Sequence, residues 1–191
     1  MTHIYMVRHG KAAAAWDADL DPGLDAVGQQ QAAALIGALT AQIDGPVPII
    51  SSPLKRCQET AKPLAAHWGQ EIVIDPRVRE LPSPTDDLNE RGAWLRRVMA
   101  GTWSALDAET ASVDFRAWRE GVVQAVAEAR QSPAVVIVSH FIAINVVYGR
   151  AMGQDEIVCF RPDNTSVSLF KVEEGRIACV ERGAEAQTQV N

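Results

Sequence analysis

The chain has 191 residues and a formal charge of −6, with 47% hydrophobic and 22% charged residues. That length and balance suit one domain with a substantial core, and no apolar run approaches the roughly 18 residues of a membrane span. The acidic balance excludes a general nucleic-acid binder, which needs a basic face, but leaves room for a few arginines to make a positive pocket for a small anion.

Helical and strand patterns alternate along the chain, which predicts an α/β domain with a mostly parallel sheet. His3 to Val7 reads as the first strand. Asp25 is placed to cap a helix with Leu24, Val27, Leu35, Leu39 and Ile43 on one face. Val47 to Ile50 is a second strand, followed by a helix from Leu54 that Pro63 is expected to kink or restart. Ile72 to Ile74 is a brief third strand. The stretch 82–114 opens with prolines and aspartates, turns helical around Trp94 to Met99, and is too short to carry its own core. It is expected to be an insertion into a single domain spanning 1–191. Phe115 to Arg130 is a helix with Phe115, Trp118, Val122 and Val126 inward. The uninterrupted apolar run Ala134 to Val138 marks a central parallel strand, and a helix follows from about Ile142 to Met152. Ser166 to Val172 and Arg176 to Glu181 close the sheet across a Glu-Gly turn, and the polar tail 184–191 is expected to be loose.

Three cysteines at unrelated spacings, Cys57, Cys159 and Cys179, frame neither a disulfide scaffold nor a zinc site. The first residues lack a secretory-signal pattern, so a cytoplasmic location is expected. No metal or cofactor is implied, and the pattern leaves oligomeric state open.

Chemistry-bearing residues gather where strands end. Arg8-His9-Gly10 follows the first strand, Ser139-His140 the central one, and Ser51-Ser52-Pro53-Leu54-Lys55-Arg56 the second. Ligand sites of open α/β sheets lie beyond the carboxyl ends of strands, so these groups are placed to share a cleft. Each is weak alone: Arg8-His9-Gly10 reads as a strand-to-loop junction, Arg56 as a solvated helix charge, and His140 as a capping residue. Their joint arrangement suits a phosphoryl group. Arginine offers a planar donor fork to phosphate oxygens, and a neutral histidine nitrogen can attack phosphorus.

Tyr5-Met6-Val7-Arg8-His9-Gly10, Gly23-Leu24 through Gly28, Gln31-Ala32, Ser51 through Arg56, Glu59-Thr60-Ala61, Val138-Ser139-His140 and Asn164 through Val167 together resemble the histidine phosphatase superfamily, the phosphoglycerate-mutase-like group. The resemblance implies a three-layer α/β/α sandwich with a helical insertion over the active site. It implies His9 as the phosphorylated nucleophile, Arg8, Arg56 and His140 as the phosphoryl-holding groups, and Glu80 as general acid, all without a metal. Asp86, Asp87 and Glu90 lie in the same region as alternatives to Glu80, whereas Lys11, Arg79 and Arg91 are candidates for added positive charge at the cleft mouth, with a solvated surface role expected for each. Two departures stand out. The segment after Gly10 is Lys11, four alanines, Trp16 and Asp17, without the asparagine that touches phosphate in the family, and Phe141 stands where a glycine often follows the second histidine.

The expected activity is therefore metal-independent hydrolysis of a small phosphomonoester through a phosphohistidine, with no nucleic-acid or membrane partner. The alternatives are a phosphoglycerate mutase, a phosphohistidine protein phosphatase, and a phosphate-ester-binding regulatory module without turnover.

Overall fold

The computed structural model describes residues 1–15, 18–109 and 112–186. Trp16, Asp17 and the tail from 187 onward lie outside the described residues, as do two positions of the 82–114 insertion. Among the described residues, six strands form one sheet in the order β3-β2-β4-β1-β5-β6. These are β1 (Thr2–Arg8), β2 (Ile49–Ser51), β3 (Ile72–Ile74), β4 (Ala134–Ser139), β5 (Val167–Glu173) and β6 (Arg176–Glu181). β3, β2, β4 and β1 run parallel, and β5 and β6 add antiparallel strands at one edge.

Side chains alternate across a strand, so β1 and β4 feed two cores at once. Ile4, Met6, Val135 and Ile137 enter one cluster, and Tyr5, Val7, Val136 and Val138 the other. The second cluster is covered by α1 (Ala26–Thr40) and α2 (Lys55–Trp68). The first is covered by α5 (Phe115–Glu128) and α6 (Phe141–Met152), together with α3 (Leu88–Val98) and α4 (Trp103–Asp107) of the insertion. Leu95, Val98, Trp103 and Leu106 sit in that same cluster, so the insertion extends the existing core.

Three expectations need correction or narrowing. Val27 is 47% exposed, because the packed line of α1 is Gly28, Ala32, Leu35 and Leu39, one position further along the helix. Of the two outcomes expected at Pro63, a kink or a restart, the restart is excluded, since α2 runs from Lys55 through to Trp68. The tail is not loose at its start. Asp163 N–H donates to Ala184 O at 2.8 Å and Ala186 N–H to Arg161 O at 2.9 Å, which ties residues 184–186 to the loop before β5. Among the described residues, no helix is long and apolar enough to cross a membrane.

Candidate active site

Parallel pairing in register sets the site. Arg8 is paired with Ser139, and Ser51 with Val138, so β1, β2 and β4 end side by side and release His9, Ser52 and His140 at one edge. The His9 backbone is then clamped: its N–H donates to Ser139 O at 3.0 Å, and Asn164 Nδ2 donates to its carbonyl at 2.9 Å.

Donor and acceptor chemistry fixes the His9 tautomer. Nδ1 lies 2.7 Å from Gly10 O, which only accepts, so Nδ1 carries the proton. Arg56 Nε, which only donates, points at Nε2 from 3.2 Å, leaving that nitrogen as the lone pair. Burial, then the Arg56 and Arg8 charges, push His9 well below the ordinary histidine value. Its neutral form is the nucleophilic one.

Gly10 is held from both sides. Its N–H donates to Thr60 Oγ1 at 2.9 Å, and its α-carbon lies so close to Gly28 that a Cβ would stand 2.7 Å from Gly28 O. Only glycines permit this approach of the 9–11 turn to the start of α1. The following segment closes back on itself, since Ala13 N–H donates to Gly23 O at 2.9 Å and Glu59 accepts from Leu24 N–H at 2.6 Å.

Arg56 lies in the first turn of α2 and is 4% exposed. Besides His9 it reaches His140, with Nη2 3.2 Å from Nδ1, and Asp21, with Nη1 3.8 Å from Oδ1. Arg8 donates through Nη1 to Pro162 O at 2.9 Å, and its guanidinium lies 5.2 Å from the centre of the Phe141 ring. Among the described residues, buried Arg8 Nε has no hydrogen-bond partner. Burial draws the Arg8 pKa down to about 10.

These groups open onto a cavity of about 370 Å³ whose lining includes Arg8, His9, Arg56, Arg91, Asn164 and the alanine run Ala12 to Ala15. The five predicted residues come together, but not all at the surface of the cavity. His140 is fully buried behind Arg56, with ring centroids of the two histidines 5.2 Å apart. Glu80 is 3% exposed and turns to the start of α6, where its carboxylate accepts from Ile142 N–H at 3.2 Å and from Leu81 N–H at 2.9 Å. Burial raises its pKa, and those backbone donors with the Arg56 and Arg8 charges oppose the rise.

The alternative carboxylates are exposed: Asp87 caps α3, and Glu90 accepts from Thr85. Arg91 and Lys11 line the cavity, Lys11 while exposed as expected and paired to Asp25 at 3.0 Å; Arg79 is exposed. Thr60 and Asn164 entered the sequence reading only within family-like segments, without a role, because a hydrogen bond to a distant backbone atom leaves no spacing pattern. An asparagine does reach the cavity, but from just before β5 rather than from the segment after Gly10. Among the described residues, no group of three or more His, Cys, Asp or Glu is placed to hold a metal ion.

The family model of the histidine phosphatase superfamily (branch 1) matches residues 4–185. A probable phosphoglycerate mutase, GpmB, of Enterobacter sp. is 32% identical over 169 residues, covering 80% of this chain and 76% of that protein. Among solved structures, a mycobacterial glucosyl-3-phosphoglycerate phosphatase superposes with a TM-score of 0.69 at 25% identity, covering 97% of this chain and 100% of that one. A phosphoserine phosphatase from Entamoeba histolytica, solved with 3-phosphoglyceric acid, gives a TM-score of 0.72 at 20% identity and covers 98% of both chains.

Proposed function

The chain belongs to the histidine phosphatase superfamily, and from that premise we propose that it hydrolyses a small phosphomonoester through a phosphohistidine on His9. One observation carries the reading. His9 is locked as its Nδ1–H tautomer by Gly10 O, with the Nε2 lone pair on the side of Arg56. That is the form needed for in-line attack on a phosphorus held by arginine.

In the first step the Nε2 lone pair forms a bond to phosphorus as the ester P–O bond breaks, and Glu80 gives its proton to the leaving oxygen. In the second, Glu80 takes a proton from water as the water oxygen attacks phosphorus and the N–P bond breaks. Arg8 and Arg56 hold the equatorial oxygens throughout, their charge being fixed before the reaction starts. The buried, unpartnered Arg8 Nε supports a phosphate oxygen as its natural acceptor. The raised pKa of Glu80 supports a carboxyl that holds its proton long enough to donate it.

A mutase reading is favoured by the GpmB similarity. End-to-end coverage of the solved phosphatase chains supports hydrolysis instead. The test is turnover of para-nitrophenyl phosphate with a chelator present, beside His9→Ala, followed by phosphoglycerate as substrate. Release of inorganic phosphate that survives the chelator and vanishes in the variant supports hydrolysis on His9. Isomerised phosphoglycerate without phosphate release would replace it with the mutase reading.

A further inference from the structure

His140 turns one ring nitrogen to Arg56, which lines the cavity, and the other into a buried hydrogen-bond chain. Its Nε2 lies 2.7 Å from Ser52 Oγ, and its Nδ1 lies 3.2 Å from Arg56 Nη2. A guanidinium only donates, so Nδ1 is the lone pair and Nε2–H donates to Ser52. Ser52 Oγ also accepts from Leu54 N–H at 3.3 Å, and the Cys57 sulfur lies 3.2 Å from the same His140 Nε2. Cys57 Sγ in turn reaches Ser139 O at 3.4 Å. His140, Ser52, Cys57 and Ser139 are all fully buried.

We infer that Ser52 is a positioning residue that keeps His140 Nε2–H turned inward, and that oxyanion binding at Arg8 and Arg56 is coupled to uptake of one proton at His140 Nδ1. The inference rests on the phosphoryl-site reading above. An oxyanion that takes the Arg56 Nη2 donor leaves the Nδ1 lone pair facing negative charge. Two lone pairs repel, whereas an N–H there donates to the anion. The Nε2 proton does not supply it. Its acceptor is Ser52 Oγ, with the Cys57 sulfur 3.2 Å from the same nitrogen, and burial raises the pKa of that thiol, so neither inward neighbour is a base. The proton enters from solvent, and both nitrogens of the imidazolium are then satisfied.

The surrounding charges support a coupled event. Facing His140 are Arg56 and Cys57 from α2, Arg8 and His9 from the end of β1, and Arg79 from the segment after β3. Burial first, then Arg56, His9, Arg8 and Arg79, hold it neutral. A dianion among those cations reverses the local sign and favours the protonated ring.

The experiment uses sulfate, a dianion that carries no titratable proton near neutral pH. Calorimetric titration of the whole protein in buffers of different ionisation enthalpy counts the protons, and about one is expected per sulfate bound. In ¹⁵N-histidine spectra, His140 is expected to pass from a single N–H at Nε2 to N–H at both nitrogens. Ser52→Ala is expected to weaken sulfate about tenfold or more and to lower the proton count, with Ser52→Thr restoring both. Sulfate binding without proton uptake, or with the proton on His9, overturns the inference and leaves the phosphatase reading standing. Failure to bind sulfate together with failure to hydrolyse para-nitrophenyl phosphate overturns both. If Ser52→Ala does not fold, the wild-type spectrum decides, since a free-protein His140 protonated at Nδ1 overturns the assignment.

Discussion

Arg56 Nε donates to His9 Nε2 across 3.2 Å, so the lone pair that would attack phosphorus is paired with one of the groups that would hold it. An incoming phosphoryl oxygen must draw the guanidinium away from the ring, and the same movement frees the nucleophile. Arg56→Lys keeps the charge but loses the planar fork that reaches His9 and His140 together. Steady-state kinetics should show kcat reduced about a hundredfold or more, since the lost donors face charge that grows in the transition state. A variant within about threefold of wild type would remove Arg56 from the phosphoryl site.

Stability should fall on the acid side for a specific reason. His9 and His140 are both held well below the ordinary histidine value in the folded chain, first by burial and then by the neighbouring arginines. The unfolded chain protonates them near about 6.5, so below that pH it binds more protons than the folded state. Their contribution is present in full above about pH 6.5 and is lost as pH falls toward the lower folded values. Glu80 acts in the opposite sense, because its folded pKa is raised and its contribution fades as pH climbs through that value. Melting curves between about pH 7 and about pH 5 should descend for the wild type, and His9→Gln should show a shallower descent by about half the histidine share. Parallel curves for the two proteins would contradict the burial of a neutral His9.

Glu80 has two duties that one substitution separates. Glu80→Gln keeps an oxygen for the Ile142 and Leu81 N–H groups but has no proton of the right acidity to give. Alkyl phosphates, whose leaving oxygens need protonation, should slow by about a hundredfold or more, and aryl phosphates by much less. Equal slowing of both classes would mean that Glu80 serves only to hold the start of α6.

Gly28 tests the packing that supports Gly10. A Cβ there would run into the Lys11 backbone oxygen and stand 2.9 Å from Lys11 N. Neither atom is free to retreat, as Lys11 N–H donates to Gln31 at 2.8 Å and Lys11 O accepts from Asp25 N–H at 3.0 Å. Gly28→Ala should cost about 1–3 kcal/mol in denaturant unfolding and should lower kcat by displacing the Gly10 carbonyl that fixes His9. Gly37→Ala, where a Cβ meets nothing within 4 Å, should instead stabilise by about 0.5–1 kcal/mol. Similar effects at both positions would rule out the close approach as the cause.

Much of the fold follows from local pattern. The apolar runs at 4–7 and 134–138 announce strands because a central strand is buried on both faces, and α5 announces itself because burial of one helix face imposes a period of 3.6. The three strand-end motifs fall together for the same reason, as parallel strands in register deliver the residues after them to one edge. The error at Val27 shows the limit of such patterns. In a helix of alanines and glutamines, small buried residues carry the packed line, and hydrophobicity alone points to the wrong neighbour.

By itself, then, the sequence determined the alternation of elements and the presence of two histidines and two arginines at strand ends. These depend on neighbours in the chain and on the direction of the strands. Only the tertiary structure decided which nitrogen of each histidine carries the proton. It alone brought Arg91 and Asn164 to the cavity and placed Glu80 and His140 behind its wall. Those outcomes depend on contacts between groups as far apart in the chain as His9 and Asn164, or Ser52 and His140. A contact of that kind is set by the packing of the whole sheet and its helices, and it leaves no local trace.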